Sequence, residues 1–290
     1  MHDNPAAAQA PAFALPGYRV VALSGRDAVA FAQAQFMNDV AALATGRWQL
    51  NGWLTPKGRV IALFALLRIE DDALWLLLAD ADAGDFVARL RRFVFRSKVA
   101  IDVRDDLLLS AAFDAPRVAL DADFARLADG RIELDFSGDG GARVAWIAPR
   151  ANADVPDHAD AVLGWTRADL AHGLPHLVGQ EEQWTPQQLS LERLRAYSVK
   201  KGCYPGQEIV ARTHFLGQAK RGLVLLELSA DARAGAGVTQ AGRAIGNLVC
   251  VAAGAPALGL AVLPIEREDA PLQVDGVDVE VRPLLEGLAR

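Results

Sequence analysis

The most informative segment of this 290-residue chain reads Lys201-Gly202-Cys203-Tyr204-Pro205-Gly206-Gln207-Glu208. Its two glycines and its proline hold the backbone in a tight, preset loop. The residues from Gly206 to Arg212 predict a short helix, so Cys203 stands just before a helix start and beside Lys200 and Lys201. Positive potential from a helix start and from lysines favours the thiolate form of a cysteine. Cys203 is therefore a candidate reactive or ligand-binding thiol; the alternative is an ordinary loop cysteine next to surface lysines.

This loop resembles the K-G-C-[FY]-x-G-Q-E signature of the YgfZ family of folate-binding proteins, which is related to the T-protein (aminomethyltransferase) of the glycine cleavage system. Other segments resemble the family in the same order: Gln35–Val40, Lys57–Arg59, Phe95–Val99, Gly173–Pro175 and Trp184–Gln187. The resemblance extends over roughly residues 18–285. It implies a cloverleaf-like arrangement of two α+β units and a C-terminal barrel around a central channel.

The resemblance also implies a function. It indicates an accessory protein that uses tetrahydrofolate and helps to assemble or repair iron–sulfur proteins, with an indirect effect on tRNA modification. The implied partners are folate and iron–sulfur client or assembly proteins. Cys203 is the predicted catalytic residue, as a transient cluster ligand or a redox-sensitive thiol. A stable cluster typically takes about four thiolates, so any ligation by this cysteine is shared with a partner or a small molecule.

The predicted folate-binding residues surround the same cysteine. They are Lys201, Tyr204, Gln207, Glu208 and Arg212. Lys201 is expected to attract the anionic glutamyl tail, with a plain surface charge as the alternative. Tyr204 has two interpretations, stacking on the pterin or packing in the core. Glu208 lies in the first helical turn, where it complements the helix dipole, and a structural ion pair with Arg212 four residues later is its other interpretation.

The sequence departs from the T-proteins at two places. T-proteins carry an acidic pair where Ile61 and Ala62 stand here. Two apolar side chains cannot supply the charge or proton on which aminomethyl transfer relies, so a tetrahydrofolate-dependent aminomethyltransferase-like enzyme is the alternative, not the leading, hypothesis. The second departure is Ala171, at a position where T-proteins have an acid that contacts folate; Asp169 and His172 lie nearby in the sequence.

Composition restricts the class of protein further. Lys and Arg number 30 against 36 Asp and Glu, and apolar residues make up 52% of the chain, as in globular proteins. The acidic balance argues against a protein that coats nucleic acid. The basic stretch Arg89–Lys98 is interpreted as the charged outer face of an amphipathic helix, and direct nucleic-acid binding is not expected. The longest apolar runs, Val60–Leu67 and Ala73–Ala79, are too short to span a bilayer.

The cysteine count points to a reducing compartment. Cys203 and Cys250 are the two cysteines of the chain, too few for a disulfide framework. Cys250 lies in an apolar segment and is predicted to be a core residue. No cysteines stand at zinc-ligand spacing, so no metal site is predicted. A cytoplasmic location is the expectation.

The order of predicted elements gives the α+β class with mixed or antiparallel sheets. The predicted division is a flexible tail at 1–16, a first α+β unit at 17–110, a second unit carrying the loop at 111–220, and a small β-barrel at 221–290. The first predicted helix begins near Ser24. Further helices are predicted at Asp85–Arg96, Arg117–Leu127, Gly164–Gly173 and Thr185–Leu194, and the last one follows Gly206.

Overall fold

Two five-stranded antiparallel sheets and a closed six-stranded barrel form the described part of the chain. The computed structural model describes residues 10–79, 81–152, 155–215, 217, 219–229 and 231–290. The predicted α+β class with a C-terminal β-barrel is confirmed. None of the helices within these ranges is long and apolar enough to cross a membrane.

The helices and strands have the following bounds. The helices are α1 (Ala28–Gln35), α2 (Ala83–Arg91), α3 (Ala159–Ala171) and α4 (Gln207–Phe215), with a 3₁₀ turn at Arg150–Asn152. The strands are β1 (Phe13–Ala14), β2 (Tyr18–Ser24), β3 (Trp48–Leu54), β4 (Val60–Glu70), β5 (Ala73–Ala79), β6 (Ala100–Val103), β7 (Leu107–Ala112), β8 (Ala125–Arg126), β9 (Ile132–Asp135), β10 (Val144–Pro149), β11 (Arg221–Leu228), β12 (Gly237–Gln240), β13 (Arg243–Ala252), β14 (Ala257–Pro264), β15 (Leu272–Val274) and β16 (Val277–Arg282).

The first sheet has the order β3-β4-β5-β2-β6 and is buried on both faces. Leu66 and Leu76 pack with the side chains of α1 and α2 on one face. Leu67 and Leu77, one position further along, pack on the other face with residues of the second sheet. Because strand side chains alternate between faces, burial on both sides explains why β4 and β5 are almost continuously apolar.

The second sheet has the order β1-β7-β10-β9-β8 and lies across the shared core from the first. Its β7 spans Leu107–Ala112, so the predicted division at 110/111 cuts through a strand that belongs entirely to this sheet. The prediction of a flexible tail up to residue 16 is wrong at the C-terminal end of that segment. Phe13 pairs with Ala111, and the side chains of Phe13 and Leu15 are buried. Both side chains belong to the main core. Residues 1–9 of that tail lie outside the described residues.

The helix predicted at Arg117–Leu127 does not form. The buried carboxylate of Glu133 accepts hydrogen bonds from the backbone N–H groups of Arg117, Val118 and Ala119, at 2.7–3.0 Å. Three consecutive N–H groups that converge on one side chain hold the backbone in a loop. A long-range contact therefore overrides the local helical pattern.

Other predicted helices differ from the structure at their ends or throughout. Helix α3 spans Ala159–Ala171 where Gly164–Gly173 is predicted. Helix α1 begins at Ala28, not at Ser24, and α2 ends at Arg91, five residues before the predicted Arg96. The segment Thr185–Leu194 forms turns, since Ser190 adopts a left-handed conformation with φ of 51° and its hydroxyl accepts a hydrogen bond from the backbone N–H of Leu223. Attachment to the barrel thus replaces a helical turn.

We predict that Glu133→Gln destabilises the protein by about 1.5–3 kcal/mol at pH 7, because a charged acceptor of backbone hydrogen bonds is lost. Burial alone would raise the pKa of Glu133, but its hydrogen bonds lower it below the ordinary 4.5. The stabilisation is therefore present above that value and is lost as the pH falls through the lower folded-state pKa. Chemical unfolding at several pH values measures the difference. Glu266→Gln, at an exposed position, is the control; a deficit that does not shrink in acid contradicts the prediction.

Candidate functional site

The loop Lys201–Glu208 is seated on the turn between β3 and β4. Gly206 has φ of +78°, and a Cβ built there would lie 2.6 Å from both the Cα of Gly58 and the carbonyl oxygen of Thr55. Gly58 in turn has φ of +70°, and a Cβ built on it would lie 2.9 Å from the Cβ of Ile209. Glycine at both positions is what lets these two backbones touch. This contact joins the loop to the first sheet.

Lys201 anchors the loop from its other end. Its ammonium group is buried and donates hydrogen bonds to the carbonyl oxygens of Gln33 and Phe36, each at 2.5 Å, and of Asn38 at 3.1 Å. Burial lowers the pKa of Lys201 to about 8. An ammonium group has three donors, and the protein's own carbonyls engage all of them. The predicted role of Lys201 as the anchor of an anionic tail is therefore wrong for this structure, and its role is to hold the end of α1.

Tyr204 and Gln207 complete the internal bonding of the loop. The Tyr204 ring is buried in the main core, its hydroxyl donates to the carbonyl of Ser198 at 3.3 Å, and the Lys201 Nζ lies 4.8 Å from its ring centroid. The Gln207 Nε2 donates to the carbonyl of Lys201 at 3.0 Å. The two interpretations of Tyr204 were stacking on a pterin and packing in the core, and its ring packs in the core.

The remaining predicted site residues are exposed. Cys203, Glu208 and Arg212 lie on the solvent side of the loop and of α4, which begins one residue after Gly206 as expected. No ion pair joins Glu208 and Arg212, although both belong to the described part of the chain, so that structural interpretation is wrong. The Cys203 thiol is accessible to solvent, and its reactivity stays a prediction. Cys250 is buried in β13.

A groove of about 780 Å³ opens beside the loop, and Pro205 of the loop lines it. Its wall carries cations and aromatic rings: Lys57, Arg59, Arg89, Arg92, Trp53 and Phe93. Arg59 donates to the carbonyl of Gln183 at 2.6 Å, and Arg89 pairs with Glu182 at 2.5 Å. Lys57 and Arg92 are exposed and have no hydrogen bond or ion pair with the side chains that the structure describes.

The sequence pattern gives no sign of this groove, because it predicts a solvated helix face for the basic stretch that contains Arg89 and Arg92. Lys57 comes from the β3–β4 turn, more than thirty positions earlier. One buried group on the wall is also unsatisfied: the Nε1 of Trp53, which is 2% exposed, has no hydrogen-bond partner among the described residues. The groove therefore combines positive charge with aromatic surface, and the Trp53 nitrogen lies buried behind it.

An inner cavity adjoins the groove at Ile61, which lines both. It holds about 50 Å³ and lies between the first sheet, Phe136 just after β9, and the segment Leu174–Val178. Ile61 and Ala62 form part of its wall, so the two positions that are acidic in T-proteins present apolar surface here. Ala171 is not on the described wall; it packs against the main core.

A buried polar cluster lies at the edge of this cavity. One carboxylate oxygen of Asp169 lies 2.7 Å from a guanidinium nitrogen of Arg143, and the other accepts from the Tyr18 hydroxyl and lies 3.2 Å from the Nε2 of His176. Burial alone would raise the pKa of Asp169, but Arg143 and His176 lower it overall. His172 is bonded to the carbonyl of Ala168 through Nδ1, and burial lowers its pKa. This hydrogen bond ties His172 to the last turn of α3.

We predict that Gly206→Ala destabilises the protein by about 2–4 kcal/mol, since it adds left-handed strain to a steric clash with Gly58. Gly202→Ala is the matched control in the same loop, because a Cβ built at Gly202 has no atom within 4 Å. Chemical unfolding of both variants measures the difference. Equal stability of the two would mean that the loop does not depend on the close contact.

The chain is similar to known proteins in sequence and in fold. No protein-family model matches the chain. An uncharacterised protein of Haemophilus influenzae is 28% identical over 222 residues, covering 76% of this chain and 74% of that protein. The tRNA-modifying protein YgfZ of Aliivibrio fischeri is 27% identical over 238 residues, covering 77% of this chain and 73% of that protein.

A solved structure extends the comparison to the whole fold. The glycine cleavage system aminomethyltransferase T from Bartonella henselae matches with a TM-score of 0.71 over 95% of this chain and 86% of that chain, at 17% sequence identity. Such low identity shows a shared fold, not a shared activity. The chain therefore has the fold of this aminomethyltransferase, and it is similar in sequence to a protein named tRNA-modifying protein YgfZ.

Proposed function

We propose that this protein binds tetrahydrofolate and serves as an accessory protein in iron–sulfur cluster assembly or repair, acting through Cys203 and affecting tRNA modification only indirectly. The observation that carries the proposal is the cationic, aromatic-walled groove beside the Lys201–Glu208 loop. The YgfZ-like relative and the aminomethyltransferase fold support a folate-binding type of protein.

The groove has the chemistry that a folate tail requires. The tail is a p-aminobenzoyl ring joined by an amide to glutamate, which carries the carboxylates, so it is complemented by aromatic surface and cations. The exposed ring of Phe93 supplies the aromatic surface, and Lys57 and Arg92 supply cations that are not paired within the described chain. The groove volume of about 780 Å³ falls in the range of small-molecule sites, roughly 300–1,000 Å³.

The inner cavity is the proposed place of the pterin ring. Its walls come from the first sheet, Phe136 and Leu174–Val178 and are mostly apolar, which suits the faces of a flat heterocycle. At about 50 Å³ it holds water-sized molecules and not a ring. Entry of the ring thus requires Leu174–Val178 to move outward. Gly173 and Gly179, which bracket this segment with φ of +75° and +70°, are the positions at which the backbone can turn.

Cys203 is the proposed point of contact with iron–sulfur chemistry. Its thiol is exposed, and Cys203 stands two residues before Pro205, which lines the groove. One thiolate holds a cluster only when other ligands come from elsewhere. The cluster is therefore cargo that passes between this protein and a client, with folate bound alongside.

The aminomethyltransferase-like alternative has the fold in its favour. Ile61 and Ala62 weigh against it, because they line the cavity with apolar surface and carry no group that accepts a proton. The assay is formation of methylene-tetrahydrofolate from an aminomethyl-lipoyl carrier protein. Turnover at the rate of a T-protein would favour the alternative over the accessory role.

Direct nucleic-acid binding finds less support. Within the basic stretch, Arg89 pairs with Glu182 and Arg91 pairs with Asp102 at 2.8 Å. Phosphate contacts make binding steeply salt-dependent. RNA binding that weakens sharply between low and physiological salt would contradict an indirect effect on tRNA.

We predict that the double substitution Lys57→Ala and Arg92→Ala weakens tetrahydrofolate binding at least about tenfold, because two charge-assisted contacts are lost. Calorimetric titration measures the affinity. Arg212→Ala removes an exposed cation outside the groove and is the matched control. If Arg212→Ala weakens binding and the double variant does not, folate binds at the loop and helix and not in the groove.

We also predict that Cys203→Ser fails to restore iron–sulfur enzyme activity in a bacterial strain that lacks its own YgfZ-like protein. A serine hydroxyl is neither a thiolate nucleophile nor a cluster ligand. Cys250→Ser is the control, since that side chain is buried in the barrel. Full rescue by Cys203→Ser would remove the cysteine from the mechanism and leave folate binding untouched.

A further inference from the structure

The segment of residues 92–98, which joins α2 to β6, exposes two aromatic rings beside the groove. Phe95 is 86% exposed and Phe93 is 50% exposed. Phe93 lines the groove, as does Pro205 of the Lys201–Glu208 loop. Single exposed apolar side chains are common on protein surfaces, whereas grouped ones mark sites of interaction. The 92–98 segment is therefore a candidate interaction surface that borders the groove at Phe93.

The backbone of this segment is fixed at both ends. The N–H of Val94 donates to the carbonyl of Arg91 at 3.0 Å, and the Val94 side chain packs against the core between the first sheet and its helices. At the other end, the N–H of Lys98 donates to the carboxylate of Asp27 at 2.6 Å, and the Lys98 carbonyl accepts from the N–H of Asp27 at 3.3 Å. The fold therefore holds Phe95 out in solvent, and a partner that binds it orders little backbone.

The segment is positively charged on a chain that is net acidic, with 30 basic against 36 acidic residues. Three of its exposed cations have no ion pair among the residues that the structure describes: Arg92, Arg96 and Lys98. Two nearby carboxylates are already paired with other arginines. Asp27 lies 3.7 Å from Arg26, and Asp102 lies 2.8 Å from Arg91. The charge that complements this surface is thus negative and comes from another molecule.

The mixture of rings and cations fits a protein partner better than a nucleic acid. The Arg96 guanidinium lies 5.3 Å from the centroid of the Phe95 ring, so apolar and charged groups form one surface. Aromatic residues and arginine are enriched at the centres of protein–protein interfaces. Single-stranded RNA also combines stacking with charge. Tight binding of nucleic acid, however, draws on about 6–10 phosphate contacts, and three unpaired cations supply fewer.

We propose that the 92–98 segment docks an acidic segment of a partner protein, with an apolar side chain of the partner on Phe95 and its carboxylates on Arg96 and Lys98. The inference rests on the proposed function, in which the partner is an iron–sulfur client or assembly protein. Phe93 joins this surface to the groove that Pro205 also lines, and Cys203 stands two residues before Pro205. Docking there places the partner beside the loop that carries the thiol.

Two probes of known chemistry test the surface: a random copolymer of glutamate and tyrosine, and single-stranded oligouridylate. The double substitution Phe95→Ser and Arg96→Glu should weaken copolymer binding at least about tenfold, because an aromatic anchor is lost and a charge is reversed. The matched control is Ile265→Ser with Arg267→Glu, the same kind of change at two exposed positions after β14 that do not line the groove. It should leave binding unchanged. Fluorescence anisotropy measures both affinities.

The Phe95→Ser and Arg96→Glu variant should also fail to restore iron–sulfur enzyme activity in a strain that lacks its own YgfZ-like protein, while it binds tetrahydrofolate with wild-type affinity. Full rescue by this variant, or unchanged copolymer affinity, overturns the inference and leaves the proposed function standing. A wild-type protein that does not bind the copolymer has the same consequence. Oligouridylate that binds more tightly than the copolymer, and is lost in the variant, overturns the inference in favour of RNA. A wild-type protein that neither binds tetrahydrofolate nor rescues the strain overturns the proposed function itself.

Discussion

The close approach of Gly206 to Gly58 is the contact on which the site depends. Two turns from distant parts of the chain meet there, and a single Cβ on either would push them apart. Their contact places Pro205 at the rim of the groove and the cation-bearing β3–β4 turn opposite it. Lys201 holds the other end of the loop on the carbonyls after α1. The loop is thereby a rigid joint between the first sheet and α4, and Cys203 is displayed on its outer side.

This joint explains why the most distinctive side chains of the motif do not themselves face a ligand. Lys201, Tyr204 and Gln207 donate side-chain hydrogen bonds to backbone carbonyls of the protein. These bonds stabilise the shape of the loop. The groups free to meet a ligand come from the neighbouring elements, chiefly Lys57 and Arg92. A motif of this kind specifies where a site forms more than which atoms do the binding.

Buried charge has a second structural role around α3. Asp169 and Arg143 are both almost fully inaccessible, and removing one partner of such a pair leaves an uncompensated charge that is strongly destabilising. The pair is further tied to Tyr18 and His176, which line the inner cavity. The same network that stabilises the sheet interface therefore also sets the polarity of the cavity wall.

Much of this protein was readable from the chain alone. The apolar runs of β4 and β5 and the short β-rich segments after Gly222 predicted the α+β class and the barrel, because these patterns depend on local periodicity. The Lys201–Glu208 loop, a contiguous motif, gave the resemblance to the YgfZ family. The loss of the Arg117–Leu127 helix to Glu133, the internal use of Lys201, and the assembly of the groove and of the Tyr18–His176 wall were decided only by the tertiary structure. Each of these features depends on a side chain that contacts backbone or another side chain far away in the sequence. The local sequence pattern does not show which distant residues come into contact.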